Sequence, residues 1–279
     1  IKKIALNHNI PVFTPNKIKN NISFIENLKS FNSDVFVVIA YGKILSSEIL
    51  SIPRYGCWNA HASLLPRWRG AAPIHWALLK GDPFTGVGII KMDEGLDTGD
   101  LLLEEKVRIK ESDNLHTLSQ KLSVLSSNLI YKSLEIIENE PKAVRFKLSP
   151  QKNKDLEIKY ARMINKEDYK LDLNDCAENI MRKVKGLFPR AFITHNGKIL
   201  KILDVRLLNE KEKNKTEKSS TNKNINYIGK VLEIIKNEGV VIATKTEPIL
   251  IKEIKLEGKN TSNKSQLIQQ LNLKNGQKI

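Results

Sequence analysis

Cysteine is scarce in this chain. Among its 279 residues only Cys57 and Cys176 carry thiols, far apart and without a CxxC or histidine-bearing companion spacing. That spacing excludes a disulfide framework, argues against a zinc site, and fits a reducing cytoplasm. Long apolar runs are missing too: even Asp34 to Ala40 falls far short of the ~20 consecutive apolar residues a membrane helix needs, so no membrane association is expected. The opening Ile1-Lys2-Lys3-Ile4-Ala5-Leu6 has neither the apolar core nor the small-residue cleavage site of a secretory signal. Acidic residues are in deficit, 31 Asp+Glu against 46 Lys+Arg, for a formal charge of +15. Such a balance concentrates polyanions near the surface and makes nucleic acid a natural partner. A composition rich in Lys, Asn and Ile produces the same surplus with no partner at all, so charge alone decides nothing.

What is present is enough apolar residue, 41%, to fill real cores. Residues 21 to 31 place Ile22, Phe24, Ile25, Leu28 and Phe31 on one helical face. The run Asp34 to Ala40 then suits a strand buried on both faces of a parallel sheet. Ser46 and Ser47 can cap a short helix, and Tyr55 to Asn59 reads as the next strand. Ala71 to Lys80 reads as a helix, with Pro73 in its first turn and Gly81 as its stop. Thr85 to Met92 and Leu101 to Ile109 read as a hairpin-like pair of strands. Ser112-Asp113-Asn114 offers caps for an amphipathic helix to about Asn139. Glu140 to Tyr160, with Pro141 and Pro150, reads as a linker. A helix over Asn174 to Lys185 precedes five β-like runs, Ala191–Thr194, Lys198–Val205, Tyr227–Ile235, Val240–Thr244 and Ile249–Leu256, which suit a small barrel. Asn209 to Asn226 is too polar to bury and reads as a mobile, solvated insertion.

The chemistry concentrates in two stretches, Gly56 to Gly70 and Glu94 to Asp100. They contribute Asn59, His61 and Asp97, all where apolar runs give way to glycine- and proline-bearing loops. An imidazole changes charge near neutral pH, and a neighbouring carboxylate holds it in the charged form. The Asn59 amide and a protonated His61 can both donate to an oxygen on which negative charge develops. Asp97 can orient His61 and relay a proton through water. No serine or cysteine nucleophile is required, and the set points to direct attack of a substrate amine on a carbonyl carbon. Ser63 lacks the glycine elbow of the hydrolases and reads better as a loop hydrogen-bonder. His8, His75, His116 and His195 have no comparable companions.

Val38 to Leu45, Asn59 to Ile74 and Met92 to Asp100 resemble the folate-dependent formyltransferases in order and spacing, most closely the branch acting on methionyl-tRNA. Weaker similarity runs through Tyr160-Ala161, Phe188-Pro189 and Ile254 to Lys259. The resemblance implies an α/β, Rossmann-like formyltransferase domain over 1–140, a linker over 141–160 and a small OB-like β-barrel that binds tRNA over 161–279. It implies transfer of the formyl group of 10-formyltetrahydrofolate to the α-amine of methionyl initiator tRNA, in the cytoplasm, by a monomer that uses no metal. Asn59, His61 and Asp97 match the family's catalytic trio. Gly42, Lys43, Ile44, Leu45, Ser63, Leu64, Leu65, Pro66, Gly95 and Leu96 match its folate contacts. The family opens with a strand, a glycine turn and a basic loop, whereas Ile1 aligns with a helix well inside that first domain, so 1–140 is expected to be a domain truncated at its start and lacking those elements. Leu171-Asp172-Leu173 and Phe188-Pro189-Arg190 depart from the family by lacking its tryptophans. Formyl transfer to an amino sugar, and a non-catalytic RNA-binding relic, remain as alternatives.

Overall fold

The computed structural model describes residues 1–140, 147–217 and 227–279. The chain separates into two compact units, one of Ile1–His61, Val87–Glu104 and Ser126–Glu157, the other of Ala62–Gly86, Glu105–Leu125 and Ile158–Ile279. Its architecture is mixed α/β, with a Rossmann-like sheet early in the chain and an antiparallel sheet late in it.

The early sheet contains β1 (Phe36–Val38), β2 (Cys57–His61), β4 (Phe84–Lys91) and β5 (Leu101–Arg108), in the order β1-β2-β4-β5. β1 and β2 run parallel, with Phe36 opposite Cys57 and Val38 opposite Asn59, while β4 runs antiparallel to β2. Three helices precede β2: α1 (Lys2–Asn7), α2 (Ile22–Ser30) and α3 (Ser47–Leu50). Asn21 caps α2 by accepting the Phe24 N–H at 3.1 Å. Ile18, Ile25 and Ile49 form a buried cluster against Phe24, Leu28, Phe36, Leu45 and Ile52. The expected two-sided burial of the Asp34 to Ala40 run does not occur. β1 is the edge of the sheet and Val37 is exposed, so only alternate residues face the core. The expected cap at α3 is also missing, since no side chain of Ser46 bonds to that helix end.

α5 (Leu115–Asn139) follows β5 and turns Leu118, Leu122 and Leu129 inward. Its start is held by Asn114, whose side chain accepts the Thr117 N–H at 3.1 Å, and by buried Asp113, which accepts the Lys110 N–H at 2.8 Å.

In the second unit, β3 (Arg69–Gly70) pairs in parallel with β6 (Tyr160–Ala161). α4 (Pro73–Lys80) begins two residues later than the sequence suggests, because the Ala72 N–H is taken by the Ala161 carbonyl. α4 lies close to α6 (Ala177–Gly186): a β-carbon on Gly186 would meet Leu78 and Leu79 at 3.2 Å, so the glycine permits the approach. Asp82 ties this region together, accepting from the Arg67 guanidinium at 2.8 and 2.6 Å and from the Trp68 indole at 2.6 Å. Arg67 also lies over the Trp68 ring, 4.6 Å from its centroid, and Trp68 stacks on Trp76. The arginine and tryptophan of this motif therefore serve the scaffold. Asp82→Ala leaves a part-buried guanidinium and an indole N–H without their carboxylate and is expected to cost about 3 kcal/mol, read as a lowered midpoint in denaturant unfolding.

The late sheet contains β7 (Phe192–His195), β8 (Lys198–Leu207), β9 (Val231–Ile235), β10 (Gly239–Ile242), β11 (Ile249–Leu256) and β12 (Thr261–Asn263). Its order is β7-β8-β11-β10-β9, with β12 on β11, and these neighbours all run antiparallel. Register shifts in the β8–β11 and β9–β10 pairs mark irregularities of the kind that curve a sheet. α6 and the late helix α8 (Lys264–Leu271) supply Ile180, Val184, Leu267 and Leu271 to a core built with Leu200, Ile202, Val240, Ile249 and Ile254.

Two expectations change here. The strand expected from Tyr227 begins only at Val231, since Tyr227 to Lys230 form a turn. The polar stretch from Asn209 carries a helix, α7 (Glu210–Glu217), where a solvated loop was expected. A capping box explains it: Asn209 accepts the Glu212 N–H at 3.0 Å and Glu212 accepts the Asn209 N–H at 2.8 Å. Arg206 anchors the same Glu212 through both carboxylate oxygens at 2.7 Å. The remainder of that expected insertion, 218–226, and the first part of the expected linker, 141–146, lie outside the described residues.

Candidate active site

β2 carries the first two of the expected site residues. Asn59 and His61 are two positions apart on one strand, so their side chains leave the same face of the sheet. Asn59 is half-buried and His61 buried, the former opposite Ile90 and the latter opposite Gly88 of β4. Cys57 stands two positions earlier, and burial pushes its thiol up to about 11, so it stays protonated and unreactive.

Asp97 comes from the loop between β4 and β5. Its Oδ2 lies 3.5 Å from Nδ1 of His61, with the imidazole 6% and the carboxylate 15% exposed. The separation is at the long end of hydrogen-bond reach, and catalytic contacts of this kind tighten when substrate fills the site. Low exposure matters more, because charges screened from water act on each other strongly. The loop is built to hold that position. Asp97 adopts a left-handed backbone, φ +52°, which a short polar residue tolerates better than a bulky one. Asp93 accepts the Gly95 N–H at 3.0 Å and the Thr98 hydroxyl at 2.6 Å, and the Lys91 N–H donates to the Asp100 carbonyl at 2.9 Å. Gly99 has no substitute here, since a β-carbon would lie 1.9 Å from the Lys91 carbonyl oxygen.

The segment after β1 sits at the same end of the sheet as His61, because parallel β1 and β2 pair Val38 with Asn59. In open α/β sheets ligands collect beyond the carboxyl ends of parallel strands. Gly42 has φ +69° and open space around its α-carbon. Lys43 is tied down by bonds from its ammonium to the Pro15 and Asn16 carbonyls at 2.9 and 3.0 Å, so it acts as a brace for the loop. Ile44 is 91% and Leu96 58% exposed, large apolar side chains left uncovered on segments that the resemblance assigns to the folate.

Ser63, Leu65 and Pro66 are buried in the second unit, and the Ser63 hydroxyl donates to the Arg67 carbonyl at 2.7 Å. Those three side chains are therefore taken up by the fold, and Leu64 is half-buried. The other described histidines lie elsewhere. His75 and His195 are both held below the usual imidazole range, chiefly by burial and, for His75, also by Arg190. Among the described residues no group of three or more His, Cys, Asp or Glu is placed to hold a metal ion, and no helix is long and apolar enough to cross a membrane.

Residues 2–134 match the Formyl transferase family and residues 163–272 match the Formyl transferase C-terminal domain. A methionyl-tRNA formyltransferase from Prochlorococcus marinus (strain MIT 9312) is 55% identical over 272 residues, covering 97% of this chain and 83% of the relative. This chain belongs to the formyl transferase family. A second member, the methionyl-tRNA formyltransferase of Synechococcus sp. (strain CC9311), is 40% identical over 98% of this chain and 83% of its own length. Solved structures share the fold at low identity. HypX from Aquifex aeolicus in complex with tetrahydrofolic acid matches 88% of this chain and 40% of its own at TM-score 0.62 and 17% identity. An N-formyltransferase from Helicobacter canadensis in complex with folinic acid and dTDP-3-aminofucose matches 89% and 81% at TM-score 0.61 and 18% identity.

Within this family member, two residues at the site carry no conspicuous sequence signal. Asp93 is legible only as the start of an Asx turn, an acidic residue two positions before Gly95. Gln151 lies in the stretch that reads as a linker, and nothing in its spacing points to the Asp97 loop.

Proposed function

We propose that this formyl transferase moves the formyl group of 10-formyltetrahydrofolate to the α-amine of methionyl initiator tRNA, in the cytoplasm and as a monomer. The observation that carries the reading is the shielded pair of His61 and Asp97, 3.5 Å apart, beside Asn59 on one strand. Relatives named for this activity over nearly the whole chain support the choice of acceptor, as does the +15 charge. Exposed Ile44 and Leu96 suit the flat apolar faces of a pterin.

In this reading the amine nitrogen attacks the formyl carbon directly. Negative charge collects on the formyl oxygen, where the Asn59 amide and an N–H of the His61 imidazole donate to it. Asp97 orients the imidazole and takes the proton that the attacking amine releases, through a water molecule. The bond from carbon to the folate nitrogen then breaks and that nitrogen takes up, through the same water, the proton Asp97 received from the amine, so the products are formylmethionyl-tRNA and tetrahydrofolate and the carboxylate is regenerated. Gly42 to Leu45 and Gly95 to Leu96 line the donor. We place catalysis in 1–140, a connecting segment in 141–160 and tRNA binding in the OB-like region 161–279.

A formylation assay with labelled donor and charged initiator tRNA tests the reading. RNA retention without turnover would leave only a binding protein, and transfer to a nucleotide-linked amino sugar in preference to tRNA would move the acceptor class. Affinity for tRNA is expected to fall ~10- to 100-fold between 50 and 200 mM salt, because each phosphate contact releases counterions. A filter-binding series at several salt concentrations measures this, and a flat response would separate the basic surface from tRNA binding.

A further inference from the structure

The stretch 149–151 is docked beside the Asp97 loop. Ser149 forms a two-bond antiparallel bridge with Leu101, the residue that opens β5: its N–H donates to the Leu101 carbonyl at 2.8 Å, and the Leu101 N–H donates back at 3.0 Å. Two residues on, Gln151 is 3% exposed, and its side-chain amide donates to the carbonyl oxygens of both Asp97 and Gly99 at 2.8 Å. One NH₂ group thus uses its two hydrogens to clamp the backbone on either side of Thr98. Asp97 itself stands in a left-handed conformation, and strained backbone of this kind persists only where its surroundings over-determine it.

We propose that Gln151 is a positioning residue for the reaction, fixing the Asp97 carboxylate against His61 from a segment outside both family matches. The inference rests on Asp97 being the acid–base partner of His61. Asp93 and Thr98 brace the loop from within. Gln151 adds a brace from a distant part of the chain, so its loss loosens the carboxylate while the loop's internal bonds remain. Displacement of a catalytic group by about 1 Å costs up to ~100-fold in rate.

Gln151→Met keeps the length and bulk of the side chain and removes its donors. In the full chain, kcat for formyl transfer is expected to fall ~10- to 100-fold with KM for tRNA unchanged. The loss should vanish when Gln151→Met is added to Asp97→Asn, since a misplaced group that is already disabled costs nothing further. An additive loss in the double variant, or a parental kcat in the single one, would overturn the proposal. A second readout is independent of turnover: the imidazole ¹⁵N shifts of His61 should move in Gln151→Met, and unchanged shifts count against the clamp. A parent chain that transfers no formyl group would defeat the proposed reaction, while the His61 shifts would still judge the clamp. If Gln151→Met does not fold, Gln151→Glu replaces the donating amide with acceptor oxygens in the same shape and is read by the same measurements.

Discussion

Asp97→Asn should lower kcat for formyl transfer by ~10²- to 10⁴-fold while leaving donor affinity largely intact. The substitution preserves size and hydrogen-bonding shape but removes the charge 3.5 Å from the His61 ring. In the proposed reaction two functions are lost together: the carboxylate that orients the imidazole, and the acceptor for the proton leaving the amine. Neither is needed to hold a folate, so binding titrated with a non-transferable analogue should be near parental. Because Asn tolerates a left-handed backbone as well as Asp does, the φ +52° at this position should not obscure the result. Turnover within a fewfold of the parent would remove Asp97 from the chemistry.

Asn59→Ala should cost ~10²- to 10³-fold in kcat, about 3 kcal/mol of barrier, the measure of one donor lost from an oxyanion site. The residue is half-buried in the middle of a sheet, with Val38 on one side and Ile90 on the other. Its side chain makes no bond on which the strand pairing depends, so the thermal midpoint should change little. A loss appearing in KM with kcat unchanged would mean that Asn59 binds the ground state and contributes nothing special to the transition state.

The strand that carries the candidate site is legible in the sequence because its signals are local. Asn59 and His61 share a face by strand periodicity, and Asp97 sits in a glycine-bearing loop between two readable strands. Ile249–Leu256 reads correctly to the residue, since alternation, length and flanking polar residues agree. β1 reads as more buried than it is, because an apolar run does not reveal whether its strand lies at a sheet edge. α7 is hidden by its polarity; its stability comes from the Asn209–Glu212 box and the Arg206 pair, and the latter needs a neighbouring strand to supply the arginine. Gln151 is the hardest case. Its partners are main-chain carbonyls more than fifty residues away, and a carbonyl leaves no imprint on residue type.

The state of the two thiols has a practical consequence. Cys57, on the strand that bears Asn59 and His61, is sealed from solvent and its sulfur contacts the Leu50 carbonyl at 3.8 Å, whereas Cys176 at the start of α6 is partly accessible. A maleimide dye or nitroxide should therefore attach at a single place in the native protein, and that attachment provides a spectroscopic reporter at α6 without a preliminary cysteine-removal campaign.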